Sequence, residues 1–200
     1  MSQPTVAAGF VRALLDYTVG RGVDRAQLLD ATGLAAVDLD SQDARVPLAA
    51  YHGLIATAIR ETGDSALLLR HTLETRLETM SIVGQIVHSS GSMLHSMTQL
   101  NRYSRLMADV DIMKGADRFE VRDTGTELWI IDHLPVPDGE FIGIEAAFAR
   151  FISEFRRSFP DRVFAIEMDV TYAPPPHAGE YPELFRIPVR FNAGRNALRI

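Results

Sequence analysis

Ile166-Glu167-Met168-Asp169-Val170-Thr171-Tyr172-Ala173-Pro174-Pro175-Pro176, followed by Tyr181-Pro182-Glu183-Leu184-Phe185 and Ile187-Pro188-Val189-Arg190-Phe191, sets the fold of the last third of the chain. Over 163–170, Phe164, Ile166, Met168 and Val170 alternate with Glu167 and Asp169, the period of a strand with one buried face. Three prolines stop that strand, because proline has no amide hydrogen for a ladder. A short aromatic helix and a final pair of strands then complete a wall with no catalytic signature.

Working back, residues 139–159 predict the strongest helix of the chain. Phe141, Ile144, Phe148, Phe151, Ile152, Phe155 and Phe159 form one apolar stripe, and Pro160 ends it. Before it, residues 109–113, 117–122 and 126–131 read as three short strands, joined by turns at Lys114-Gly115-Ala116-Asp117 and Asp123-Thr124-Gly125. The second half therefore has the order βββαβαββ.

The first half has helical period. A helix over 5–19 carries Val6, Phe10, Ala13, Leu14 and Tyr17, and Gly20-Arg21-Gly22 ends it. Asp24 caps a short helix with Leu28 and Leu29, stopped by Gly33. After a loop containing Asp38, Asp40 and Asp43, Pro47 opens a helix burying Leu48, Tyr51, Leu54, Ile55, Ala58 and Ile59, which Gly63 breaks. A further helix is expected over 65–77, and the short apolar run 80–87, which periodicity leaves open between buried helix and strand, is read as helix. A last one runs from the cap Ser92 to Met107, with Met93, Met97, Leu100 and Tyr103 on one side. The expected fold is α+β: a helical lobe over about 1–107 packed on a mostly antiparallel sheet with one long amphipathic helix over about 108–200, in a single domain.

Bulk properties narrow the function classes. The 200 residues are 46% hydrophobic and 23% charged, ordinary for one globular domain. No stretch reaches the ~20 apolar residues of a membrane span, no secretory signal is visible, and the expectation is a cytoplasmic protein with no membrane partner. There is no cysteine, which excludes disulfides and thiol chemistry. Twenty Lys+Arg stand against 26 Asp+Glu, a net charge of −6 without a basic run. Direct nucleic-acid contact is not expected, since phosphate binding needs clustered cations.

No enzyme motif appears: neither a Gly-x-Ser-x-Gly elbow nor a phosphate-binding glycine loop. His52, His71, His88, His95, His133 and His177 give no zinc-ligand spacing, so neither metal nor cofactor is expected. The layout broadly matches haem nitric-oxide sensors, with His95 where a proximal ligand would stand. Such a sensor needs Tyr-x-Ser-x-Arg for the propionates, and Tyr103-Ser104-Arg105 has the wrong spacing.

What remains is a ligand pocket. Glu145 lies near the edge of the phenylalanine stripe, where a carboxylate either reaches solvent, pairs with a protein cation, or awaits a ligand's cation. Trp129 shows the strand face that Leu128 and Ile130 do not; towards the helix it would line the interior, otherwise it would mark an interface. Tyr103 with Met93, Met97 and Met107 forms an adaptable surface, more often simply core. The expected ligand-binding residues are His88, Tyr103, Trp129, Glu145 and Phe148.

Several blocks in fixed order carry a family resemblance: Gly22-Val23-Asp24 with Leu28-Leu29 and Gly33; Arg45-Val46-Pro47-Leu48 with Tyr51; Thr62-Gly63-Asp64; Ile82-Val83-Gly84, Ser89-Ser90 and Tyr103; and finally Tyr181, Phe185, Pro188-Val189, Phe191, Asn196 and Leu198. Together they resemble the N-terminal effector-binding (arabinose-binding-type) domain of AraC-type transcriptional regulators, in the branch that includes regulators of ornithine use and of mycobacterial virulence. This chain departs from the pattern at Gly91-Ser92-Met93, usually Pro-Thr-Leu, at His88, usually apolar, and at Tyr172, usually histidine. The resemblance implies a small-molecule effector, a homodimer, and a helix-turn-helix DNA-binding domain beyond residue 200. The alternative is a structural dimerisation module without a ligand.

Overall fold

The computed structural model describes residues 3–41, 44–109, 116–135 and 141–200. The fold is α+β, and the chain divides into two compact units. The first comprises Met1–His71 with Thr75–Asp111, the second Thr72–Glu74 with Ile112–Ile200.

The first unit holds a small sheet absent from the sequence reading. Strand β1 (Thr5–Ala7) lies between β2 (Arg45–Pro47) and β3 (Ala108–Asp109), antiparallel to both. Helix α1 (Ala8–Val19) thus begins three residues later than the apolar spacing predicts. The β-branched Thr5 and Val6 take the extended conformation because Val46 offers Val6 a cross-strand partner. The buried stripe of α1 is Val11, Leu14, Leu15 and Thr18, rotated from the expected Phe10, Ala13 and Tyr17. Arg45 ties the sheet together, donating to the Thr5 hydroxyl (3.0 Å), the Thr5 carbonyl (3.0 Å) and the Leu106 carbonyl (2.6 Å).

Helix α2 (Arg25–Thr32) starts as expected, with the Asp24 carboxylate accepting from the Gln27 amide at 2.8 Å. Helix α3 (Leu48–Thr62) follows β2 directly and buries Leu54, Ile55, Thr57 and Ala58. The expected 65–77 helix is shorter, α4 (Leu67–Glu74), followed by a 3-10 turn at Leu77–Thr79. The ambiguous apolar run is helical, α5 (Ile82–His88), capped by Ser81. At Gly84 any Cβ would stand 2.2 Å from the Leu77 carbonyl oxygen, so helix and 3-10 turn can approach only over glycine. Helix α6 (Met93–Met107) starts at its expected cap, Ser92, whose hydroxyl accepts from the His95 amide.

In the second unit, β4 (Phe119–Asp123) and β5 (Leu128–Asp132) form the expected hairpin. Helix α7 (Ile142–Ser158) follows, then β6 (Glu167–Asp169), a 3-10 turn (Ala178–Glu180), α8 (Tyr181–Leu184), β7 (Val189–Arg190) and β8 (Ala197–Arg199). The strand order is β4-β5-β8-β6-β7, antiparallel except for β6 and β7. The first strand expected in this half, 109–113, contributes only Asp109 to β3, which joins the other sheet; residues 110–115, with the Lys114-Gly115 turn, lie outside the described residues.

The expected strand 163–170 shrinks to β6. Val163 is 85% exposed and Ile166 42% exposed, whereas Asp169 is buried. Phe164 stacks on Phe155 and Phe159 at ring separations of 5.6 and 4.4 Å, which holds this stretch at the end of α7. Asp169 is drawn inside by Arg190 and Arg195, whose guanidinium nitrogens lie 2.7 and 3.1 Å from its oxygens.

The pairing register sorts the sheet's two faces. Phe119, Ile130, Met168 and Leu198 share one, and Trp129, Ile131, Ala197 and Asp169 the other. Phe119 meets Phe151 of α7 edge-on at 5.0 Å, so the first face carries the helix.

Candidate functional site

Helix α7 delivers Glu145 from its first turn, where the positive end of the helix dipole favours a carboxylate. The turn is fixed by Arg118 on the approach to β4. Its guanidinium grips Asp132 of β5 at 2.7–3.2 Å and donates to the Gly143 carbonyl at 2.7 Å. A side chain at 143 would crowd Leu134, which glycine avoids.

Glu145 is only 3% exposed, so it does not reach solvent. Its Oε1 accepts from His177 Nε2 at 2.6 Å and from the Tyr181 hydroxyl. Tyr172 joins through a hydroxyl–hydroxyl contact with Tyr181 at 3.3 Å. Residues 174–176 lead the chain to His177, and the 3-10 turn running into α8 places Tyr181 four residues on, where one helical turn aims both donors at the same oxygen.

Aromatic rings surround these polar atoms. Phe141 lies 5.1 Å from Tyr172 and 6.1 Å from His177, and Tyr181 packs on Phe185 and Phe191 at 4.8 and 5.5 Å. Burial pushes the Tyr172 and Tyr181 hydroxyls well above the ordinary tyrosine value, and the Glu145 charge pushes the same way. Both phenols therefore stay protonated. The cluster can exchange one hydrogen-bond donor to the Glu145 carboxylate for another; neither phenol can act as a base near neutrality.

The residues expected at a pocket are dispersed. Glu145 and Phe148 are both buried on α7. Trp129 is buried on the opposite sheet face, its indole donating to Glu127 at 3.0 Å beneath the Arg195 guanidinium, 3.8 Å from the ring centre. Strand alternation decides this: Ile130 faces α7, so Trp129 cannot. His88 is exposed at the end of α5, and Tyr103 is half-buried on α6 beside Arg102; both belong to the first unit. Sequence reasoning missed His177, Tyr181 and Tyr172. The available signal was the pair of polar-tipped rings four residues apart on a helical turn, with a carboxylate beside an apolar stripe in want of donors.

This combination of a mixed helical unit with a helix-backed sheet has known counterparts among proteins that control transcription. Residues 22–200 match the family described as the arabinose-binding domain of AraC transcription regulators, N-terminal, and the chain belongs to that family. It is 23% identical over 189 residues to the ornithine utilization regulator of Pseudomonas aeruginosa, covering 93% of this chain and 54% of that protein. Its fold is similar to the crystal structure of the transcriptional regulator CdpR from Pseudomonas aeruginosa, with a TM-score of 0.59, 16% identity, and coverage of 96% of this chain and 54% of that one. The chain thus spans about half the length of the relatives it matches. Among the described residues, no helix is long and apolar enough to cross a membrane.

Proposed function

We propose that this chain is the effector-sensing and dimerisation domain of a cytoplasmic AraC-type transcription regulator. A small molecule binds it and biases a helix-turn-helix DNA-binding domain expected beyond residue 200. One observation carries the reading: a carboxylate, Glu145, sits inside an aromatic enclosure and is held by two exchangeable donors, His177 and Tyr181. A ligand ammonium or guanidinium can take the place of the His177 N–H, while Phe148 and the rings around Glu145 contact its apolar body. Family membership supports a sensing role, and the name of the ornithine utilization regulator makes amines and amino acids the first compounds to test. His88, Tyr103 and Trp129 play no part in this reading, none belonging to the Glu145 cluster.

The ligand acts on DNA binding only by preferring one of two arrangements of the regulator. The test is thermal shift against ornithine, arginine, putrescine, sugars and short fatty acids, on the wild type and on Glu145→Gln. At one hundred times its dissociation constant a ligand stabilises by about 2.7 kcal/mol. A cationic hit lost in Glu145→Gln supports the assignment; equal affinity in the variant overturns it.

A second reading has its own support. Glu145 already accepts two internal hydrogen bonds, so the cluster can serve as a structural pin in a dimerisation module without a ligand. Sedimentation with and without the compounds separates the two readings, because such a module dimerises regardless of them.

A further inference from the structure

We propose that the groove on the outer side of Tyr181 is a second binding site, one that takes a small organic carboxylate with an apolar body, the carboxylate on Arg186 and the body on the groove's rings and prolines. This goes beyond the Glu145 reading and does not depend on it.

The groove has a volume of about 530 Å³, within the usual range for a small-molecule site. Tyr181, Pro182, Ile187, Pro188 and Phe191 give it apolar walls, and Arg186 is its charged lining residue. Tyr181 belongs to both places: its hydroxyl is turned inward to Glu145, and its side chain also lines the groove.

Arg186 is held there by its backbone. Its φ of 56° lies in the left-handed region, which an L-residue adopts at a cost and which recurs at binding sites. Arg156 of α7 secures the same turn from below, donating to the carbonyls of Leu184 and Phe185. Those acceptors are neutral, so they leave the Arg156 charge uncompensated. Burial lowers the Arg156 pKa, and the nearby Arg186 charge lowers it further, which places the two cations in each other's field. Among the described residues neither makes an ion pair, and Glu183 in the same turn is not bonded to Arg186. A chain with net charge −6 therefore places Arg186, which has no ion pair among the described residues, on an apolar groove whose lining holds no carboxylate. Arginine's planar fork suits a carboxylate bound through both oxygens.

The experiment titrates phenylacetate, phenylacetamide and benzylamine into the ¹⁵N-labelled chain and follows the amides of 178–191. The expected result is saturable shifts with phenylacetate. Affinity should fall about tenfold or more in Arg186→Gln, as for a lost charge-assisted bond, and recover only in part in Arg186→Lys, which restores the charge but not the two-pronged fork. Arg186→Gly guards against misfolding as an explanation: it relieves the left-handed strain, so it should melt higher than the wild type and still lose phenylacetate. Glu145→Gln should bind phenylacetate unchanged. No saturable shift with phenylacetate, equal binding of phenylacetamide, or full affinity in Arg186→Gln overturns the groove site. A benzylamine response lost in Glu145→Gln would still stand in that case, so the two proposals fail separately.

Discussion

Tyr181 donates its hydroxyl proton to Glu145, a carboxylate 36 residues earlier in the chain, and so joins the start of α8 to the first turn of α7. His177 reaches the same oxygen from 32 residues away. A buried carboxylate with a single donor is poorly compensated; with two it is tolerated, and it becomes sensitive to losing either. Removing the Tyr181 hydroxyl should therefore expose the energetics of the cluster.

Tyr181→Phe is expected to cost about 1–3 kcal/mol, the range for leaving a buried charged acceptor short of one donor. In a domain of this size that is a fall in Tm of roughly 2–4 °C per kcal/mol, read by calorimetry. The double-mutant cycle with Glu145→Gln should give a coupling energy above about 0.5 kcal/mol. Additive effects would mean that the bond carries no energy and that the cluster is not a unit.

Alkaline titration tests the same cluster from the other side. Tyr172 and Tyr181 have folded pKa values raised by burial and by the Glu145 charge. For a raised value, the stabilising contribution is complete below the unfolded value near 10 and is lost as pH climbs towards the folded one. Stability should fall above about pH 10, by up to ~1.4 kcal/mol per pH unit for each of the two phenols. Absorbance at 295 nm should show Tyr172 and Tyr181 ionising only as the chain unfolds. Five phenols titrating together in the folded protein would contradict the buried network.

What could be read from the sequence follows from the range of each interaction. Helix α7, the caps at Asp24 and Ser92 and the βββαβαββ order were legible because each rests on local spacing or on one residue's chemistry. Strand β1 was not, since three residues abutting a helix share the helix's apolar pattern, and only pairing with β2 and β3 makes them a strand. For the same reason β3 left the meander, its partner being a strand about a hundred residues earlier. At the site, Glu145 was visible as a carboxylate beside an apolar stripe. Its partners were not, because contacts spanning 32 and 36 residues leave no periodic trace. Trp129 was placed in its strand correctly but could not be assigned to a face without knowing which face carries α7.

Asp169 gives an acid-side expectation. Burial alone would raise its pKa, yet the hydrogen bonds and charges of Arg190 and Arg195 outweigh that and hold it below the ordinary aspartate value. A depressed carboxylate contributes stability that is complete above its unfolded value near 3.9 and is lost as pH falls through the folded one. Both arginines are partly solvated, so the effect is modest: Asp169→Asn should lower Tm by a few degrees, about 2–4 °C per kcal/mol, at pH 7. The gap between variant and wild type should start to close as the pH drops below the unfolded value near 3.9 and vanish once Asp169 is protonated in the folded protein as well. A gap that stays constant from pH 7 to 2 would show that ionisation of Asp169 plays no part.

Two glycines in helices separate close packing from propensity. Gly84 in α5 would place a new Cβ 2.2 Å from the Leu77 carbonyl oxygen, a backbone atom that cannot move aside without unwinding the 3-10 turn. Gly53 in α3 has nothing within 4 Å of the same position. Gly84→Ala should therefore cost about 2 kcal/mol or more, as overpacked sites do. Gly53→Ala should be neutral or stabilise by up to about 1 kcal/mol through helix propensity. Urea unfolding of both variants gives the comparison directly, provided the slope m is unchanged. If Gly84→Ala proves as harmless as Gly53→Ala, contact with the 3-10 turn cannot be the reason a glycine stands at 84.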